Sequence, residues 1–148
     1  MLRIFLNQQK LMNGVKMKAV KARITKAIPV GAYIECSDNT GAKRLQLISV
    51  YGYKGRRRRK PSAGVADVVK CTVKEGVVKW RKQVVRAVII RQKKEYRRSS
   101  GLRVEFEDNA AILVNDKNEP VGTQVKGPMA KEVTERFLTL GKIASIVI

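Results

Sequence analysis

The chain has no histidine among its 148 residues, which removes Ser-His-Asp and Cys-His nucleophile machinery and any His-ligated metal. Cysteine is almost as scarce. Cys36 and Cys71 stand alone in apolar stretches with no C-x-x-C pair, too few for a disulfide scaffold or a structural zinc site, so both read as small core residues. No run approaches the roughly 20 apolar residues of a bilayer span. The opening Met1-Leu2-Arg3-Ile4-Phe5-Leu6 has neither the sustained apolar region nor the cleavage site of a secretory signal, so a cytoplasmic chain without membrane contact is expected. Acidic residues are also few, and Glu105, Glu107 and Asp108 are their main crowd. A metal-dependent nuclease would have to be built on these three. Alternation along a strand puts Glu105 and Glu107 on one face, where a solvated strand end or an ion pair with a nearby Arg is the commoner use. No catalytic residue, cofactor or metal is expected.

What is abundant is positive charge. There are 32 Lys and Arg against 12 Asp and Glu, a net charge of +20, and such a chain repels itself unless a polyanion neutralises it. Nucleic acid fits best, because the cations cluster with Tyr and Trp and no amphipathic cationic helix suggests a lipid surface. The charge is uneven. Residues 50–98 carry seventeen Lys and Arg against three acids, whereas residues 101–148 carry six against seven. The middle therefore reads as the polyanion-binding part, and the C-terminal third as core closure and protein contact.

The length suits one compact domain. Short segments rich in Val, Ile and Leu recur at Ala32–Cys36, Arg44–Tyr51, Val65–Val73, Val84–Arg91, Leu102–Phe106 and Ala110–Val114, a mainly β pattern that closes as a barrel or a sandwich. Ser37-Asp38-Asn39-Thr40-Gly41 and residues 115–120 read as surface turns. One helix is predicted from Pro128 as its first residue, with Met129, Val133 and Phe137 as its apolar stripe and Gly141 as its stop. Residues 1–16 read differently from the rest, as an N-terminal extension upstream of a plausible start at Met17 or as a tail ordered only against a partner, leaving residues 17–148 as a single domain.

Three basic clusters carry the binding chemistry. Lys54 and the run Arg56-Arg57-Arg58-Arg59-Lys60 lie in a Gly-bounded loop, where planar guanidinium forks match phosphate oxygens. Arg91, Lys93, Lys94, Tyr96, Arg97 and Arg98 run from an apolar strand into Ser99-Ser100-Gly101; they read as a hairpin arm tracking an RNA backbone, with Tyr96 stacking on a base or sugar. Lys79-Trp80-Arg81-Lys82 places the single Trp among cations, where it either stacks on RNA or anchors its loop. Lys43 and Arg44 add phosphate contacts beside the first turn. Nothing reads base sequence, so backbone and shape recognition of folded RNA is the expected mechanism. In the C-terminal third, Lys117, Gln124, Lys126, Lys131, Glu132, Glu135 and Arg136 are the candidates for protein contact.

In order along the chain, Ser37-Asp38-Asn39-Thr40-Gly41-Ala42, Ala63-Gly64-Val65-Ala66-Asp67, Ala87-Val88-Ile89-Ile90-Arg91, Phe106-Glu107-Asp108-Asn109-Ala110 and Gly127-Pro128 closely resemble the universal large-subunit ribosomal protein fourteen family. The Arg56 to Lys60 loop and Tyr96-Arg97-Arg98 look like its archaeal and eukaryotic branch. The resemblance runs from about Ala27 to the C-terminus. It implies a small closed five-stranded β-barrel with a projecting β-hairpin and a short C-terminal helical region, bound to large-subunit rRNA. It also implies contacts with small-subunit rRNA at intersubunit bridges, with neighbouring large-subunit ribosomal proteins, and with anti-association factors that keep the subunits apart. Ala66 stands where the family usually has Gly, and Ser100 where Asp commonly precedes Gly. A free RNA chaperone or translation factor on a small β-barrel is the alternative.

Overall fold

A computed structural model describes residues 18–55 and 57–148; the extension 1–16, Met17 and Arg56 lie outside the described residues. Five strands close a barrel in the order β2, β3, β5, β6, β9: β2 (Tyr33–Cys36), β3 (Ala42–Val50), β5 (Val68–Gly76), β6 (Val84–Arg91) and β9 (Ala110–Val114). Neighbours pair antiparallel except β2 and β9, which run parallel and shut the barrel. A short pair, β1 (Ile28–Pro29) with β4 (Ser62–Ala63), flanks it, and β7 (Tyr96–Arg97) with β8 (Arg103–Val104) form the hairpin. The chain ends with β10 (Pro128–Met129), α1 (Lys131–Arg136), α2 (Leu138–Gly141) and β11 (Ile146–Val147). This is the closed five-stranded barrel with a hairpin and a helical C-terminal region that the family resemblance implies, and it decides between the barrel and sandwich left open by the strand pattern.

Two apolar layers explain the two strand patterns. Ile34, Leu45, Leu47, Cys71, Val73, Ala87, Ile89 and Leu113 fill the barrel interior. Val88, Ile90, Ile112 and Val114 point the other way and meet Met129, Ala130, Val133, Phe137 and Leu140 of the C-terminal segment. Strands β6 and β9 are thus covered on both faces, which is why they read as continuous apolar runs, whereas β3 and β5 alternate because their outer faces meet solvent. Register shifts between β3 and β5 bend the sheet so that it closes. At the β5 end a glycine is required: a Cβ on Gly76 would sit 2.7 Å from the Gly41 carbonyl oxygen.

Several local expectations shift for identifiable reasons. The strand predicted from Val65 begins at Val68, because Gly64 to Asp67 form a turn in which the Asp67 carboxylate accepts the Gly64 N–H at 2.9 Å. Ala66 in that turn has φ +64°, a left-handed conformation that glycine adopts without penalty. The turn after β2 is not fully superficial: Ser37 and Asp38 are buried, and the Asp38 carboxylate accepts backbone N–H groups of Thr40 and Leu113. Pro128 does not start the helix. It is extended and pairs with Ile146, its carbonyl held at 2.9 Å by Arg91, so α1 begins only at Lys131. Phe137, at φ −126° and ψ 89°, then breaks the predicted single helix into α1 and α2. Both thiols are held in the protonated form: burial pushes Cys71 up to about 12 and, with the Asp38 charge, raises Cys36 too.

Candidate nucleic-acid interface

The loop between β3 and β4 carries the densest charge. Lys54, Arg57, Arg58, Arg59 and Lys60 are all exposed, and none forms an ion pair with a described residue. Arg58 has φ +63°, so the chain turns sharply within the run and the side chains fan outward. Lys54, Arg59 and Lys60 share an open depression with Tyr51 and Tyr53. The Tyr51 ring is also covered by the Arg86 guanidinium, 4.3 Å from its centroid. The same guanidinium donates to the Asp116 carbonyl at 2.8 Å, so this arginine is held between the ring and the loop after β9.

The loop from β5 to β6 brings a second group together. Lys43 and Arg81 line one depression with Lys74, and Lys79, Arg81 and Lys82 are exposed. Trp80 is half-buried against the barrel interior residues, with the Lys79 ammonium 5.6 Å from its ring. Its packing supports the anchoring use. Arg44 lies 4.8 Å over the Tyr33 ring and 3.3 Å from Glu75, so part of its charge is already matched.

In the third cluster the structure separates surface cations from internal ones. Lys93, Lys94 and Arg97 are exposed. Arg91 is only 8% exposed: its guanidinium donates to both Asp108 oxygens, at 2.5 and 2.8 Å, to the Lys126 and Pro128 carbonyls and to the Ser37 hydroxyl. Tyr96, 2% exposed, donates its hydroxyl to Glu132 at 2.7 Å and presents no face for stacking. Burial and the Glu132 carboxylate together raise its phenol well above the ordinary range. Arg98 donates to both Glu132 oxygens and to the Ile148 carbonyl. In this structure the surface roles expected of Arg91 and Tyr96 are replaced by internal ones, because each finds partners far along the chain.

The family described as Ribosomal protein L14p/L23e matches residues 27–148. The chain belongs to that family. It is similar to the large ribosomal subunit protein uL14 of Methanoregula boonei, 52% identical over 132 residues that cover 89% of this chain and 100% of that protein. The same-named protein of Methanothrix thermoacetophila is 54% identical over 129 residues, covering 87% of this chain and 96% of that protein. That of Methanocella arvoryzae is 51% identical over 132 residues, with 89% and 100% covered.

The C-terminal third of this L14p/L23e chain is divided in the same way as its hairpin. Lys117, Gln124, Lys126, Lys131 and Glu135 are exposed, with Lys131 and Glu135 4.0 Å apart on one helical face. Glu132 is not available to a partner: it is 5% exposed and closed over by Tyr96 and Arg98. Burial alone would raise its carboxyl, but the hydrogen bonds from Arg98 and Tyr96 prevail and lower it. Arg136 is half-buried, donating to the Ala66 carbonyl at 2.9 Å and lying 3.7 Å from Asp67. Around them stand exposed apolar side chains, Leu138, Ile146, Val147 and Ile148, at the apolar end that the sequence assigns to core closure or protein contact. Glu105 and Glu107 are solvated outside any strand, and Asp108 is taken up by Arg91, so the three carboxylates do not converge on one point. Arg23 and Arg103, which stand outside the recognised basic runs, join the hairpin cations.

Proposed function

We propose that this chain is a structural, non-enzymatic constituent of the large ribosomal subunit, cytoplasmic with the ribosome, in which residues 17–148 act as one RNA-binding domain. The observation that carries the proposal is the unmatched charge of Lys54 and Arg57 to Lys60 on an exposed loop of a rigid barrel, in a chain whose similar relatives are large-subunit proteins by name. Large-subunit rRNA is the polyanion those cations meet. Arg56, within the same run, belongs with them. The cations around Lys43, Lys74 and Arg81, and Lys79 and Lys82 beside them, extend the contact around the barrel, and one of these surfaces reaches small-subunit rRNA at an intersubunit bridge. The near-neutral end, with Lys117, Gln124, Lys126, Lys131 and Glu135 beside exposed Leu138, Ile146 and Val147, has the mixed polar and apolar character of a protein contact. It serves neighbouring ribosomal proteins and factors that hold the subunits apart. A free chaperone finds no support among the relatives.

Changing Arg57, Arg58, Arg59 and Lys60 to Ala is expected to weaken binding to protein-free large-subunit rRNA and to reduce incorporation into large subunits. The log–log salt slope of binding should become shallower by roughly 3, since each lost phosphate contact removes about 0.7 to 0.9. The melting temperature should stay nearly unchanged, because exposed charges contribute little to folding. An unaltered affinity and slope with normal incorporation would overturn the reading.

A further inference from the structure

Arg23, Arg97 and Arg103 occupy facing positions on three adjacent extended segments: Arg23 bridges to Arg97, and Arg97 is the cross-strand partner of Arg103. Residues that face one another in antiparallel pairs project to the same side with Cβ atoms about 5 Å apart, and like charges there repel. All three line one cavity of about 420 Å³, together with Lys94 and Glu95. Among the described residues Glu95 is the only carboxylate in it. It lies 2.9 Å from Arg103 and 3.9 Å from Lys94, and no described acid pairs with Arg23 or Arg97. Four cations therefore share one acid.

The fold holds this repulsive arrangement in place with a buried amide. Gln92 is 0% exposed, and its Nε2 donates to the Thr25 carbonyl at 3.1 Å and to the Lys94 carbonyl at 2.7 Å, while its Oε1 accepts the Val65 N–H at 3.0 Å. The segment bearing Arg23 is thereby fastened to the base of the hairpin bearing Lys94 and Arg97. From below, Tyr96 fixes the hairpin through its hydroxyl on Glu132. The buried glutamine thus keeps the backbone segments that bear Arg23 and Arg97 side by side, and strand pairing adds Arg103. Glu95 matches part of this charge, and an anion entering between Arg23 and Arg97 would match the rest.

We propose that Arg23, Arg97 and Arg103, with Lys94, form an arginine ladder that binds the phosphodiester backbone of RNA. The inference rests on the rRNA-binding reading above and deepens it with a site to which the N-terminal segment contributes. Strands lie about 4.8 Å apart, so the ladder extends about 10 Å from Arg23 to Arg103 and suits successive phosphates on one strand. Planar guanidinium forks engage phosphate oxygens in pairs. Recognition is of the backbone alone: among the described residues the only aromatic side chain lining the cavity is Tyr96, and its ring is buried.

The test uses the full chain, protein-free large-subunit rRNA and, as a base-free probe, inorganic tripolyphosphate. Replacing Arg23, Arg97 and Arg103 by Gln singly is expected to weaken rRNA binding about 5- to 8-fold each at 0.1 M salt, and to make the salt slope shallower by about 0.7 to 0.9 each. The triple Lys variant should keep most of the slope. Tripolyphosphate should raise the melting temperature of the wild type more than that of the triple Gln variant, which without anion should melt no lower than the wild type because a repulsion has been removed. If the triple Gln variant binds rRNA with wild-type affinity and slope while the Arg57 to Lys60 variant loses both, the ladder is refuted and the broader function stands. If the wild type itself shows no salt-dependent rRNA binding, both fail.

Discussion

Replacing Arg91 by Met is expected to destabilise the fold by about 3 to 5 kcal/mol, the range for breaking a buried charge pair by removing one partner. The residue is 8% exposed and its guanidinium joins four separate segments: the end of β6, Asp108 before β9, Ser37 after β2, and the Lys126 and Pro128 carbonyls leading into the C-terminal region. Met keeps the apolar stem and removes every donor. Asp108 retains partial access to water, which moderates its share of the loss, but two carbonyls and a buried hydroxyl lose their partner at the same time. Urea unfolding should show a lower midpoint with an unchanged slope. The folded fraction at low temperature should bind rRNA like the wild type. Stability within about 1 kcal/mol of wild type, combined with lost rRNA affinity, would return Arg91 to the RNA surface.

Arg91 also marks how far the sequence is legible. Period-2 alternation and uninterrupted apolar runs depend on neighbours in the chain, and they place Val84–Arg91 and Ala110–Val114 at their observed bounds and Arg44–Tyr51 within two residues of β3. Whether an arginine in a basic run faces solvent depends on partners far away in sequence. Arg91 meets Asp108, Tyr96 and Arg98 meet Glu132, and Arg136 meets Asp67. Arg91, Tyr96 and Arg98 share one basic run with Lys93, Lys94 and Arg97, which remain exposed, so composition assigns the whole run one role while the fold assigns two. The predicted helix start fails for the same reason, since Pro128 is held extended by Arg91 and Ile146. Arg23 and Arg103 went unnoticed because neither lies in a dense run; only strand pairing sets them beside Arg97. By contrast, the family resemblance singles out Ala66 as a departure from glycine without indicating its conformation, which the structure shows to be left-handed.

Changing Glu132 to Gln is expected to cost about 3 to 5 kcal/mol at neutral pH, whereas changing the exposed Glu135 to Lys should scarcely affect folding. The two residues are near neighbours on one short helix and look interchangeable in sequence. Glu132 alone accepts the Tyr96 hydroxyl at 2.7 Å and the Arg98 guanidinium at 2.7 and 3.3 Å. Through them it joins the hairpin, α1 and the C-terminal Ile148 carbonyl, which Arg98 also holds at 2.6 Å. Gln preserves the shape but presents an NH₂ to one of the two donors and leaves the Arg98 charge uncompensated. The pH dependence has a definite sign. Because the folded-state carboxyl is lowered from its ordinary value of 4.5, its stabilising contribution is complete above that value. The contribution is lost as pH falls through it toward the folded one. Tyr96 is raised from its ordinary 10.0, so its contribution is complete below that value and declines only in strong alkali. The gap between wild type and Glu132→Gln should therefore be flat from about pH 6 to 9 and shrink below about pH 4.5. Unfolding free energies measured across that range decide the matter: a gap that is absent at pH 7, or that widens in acid, would show that Glu132 does not hold the hairpin to the C-terminal helix as a buried carboxylate.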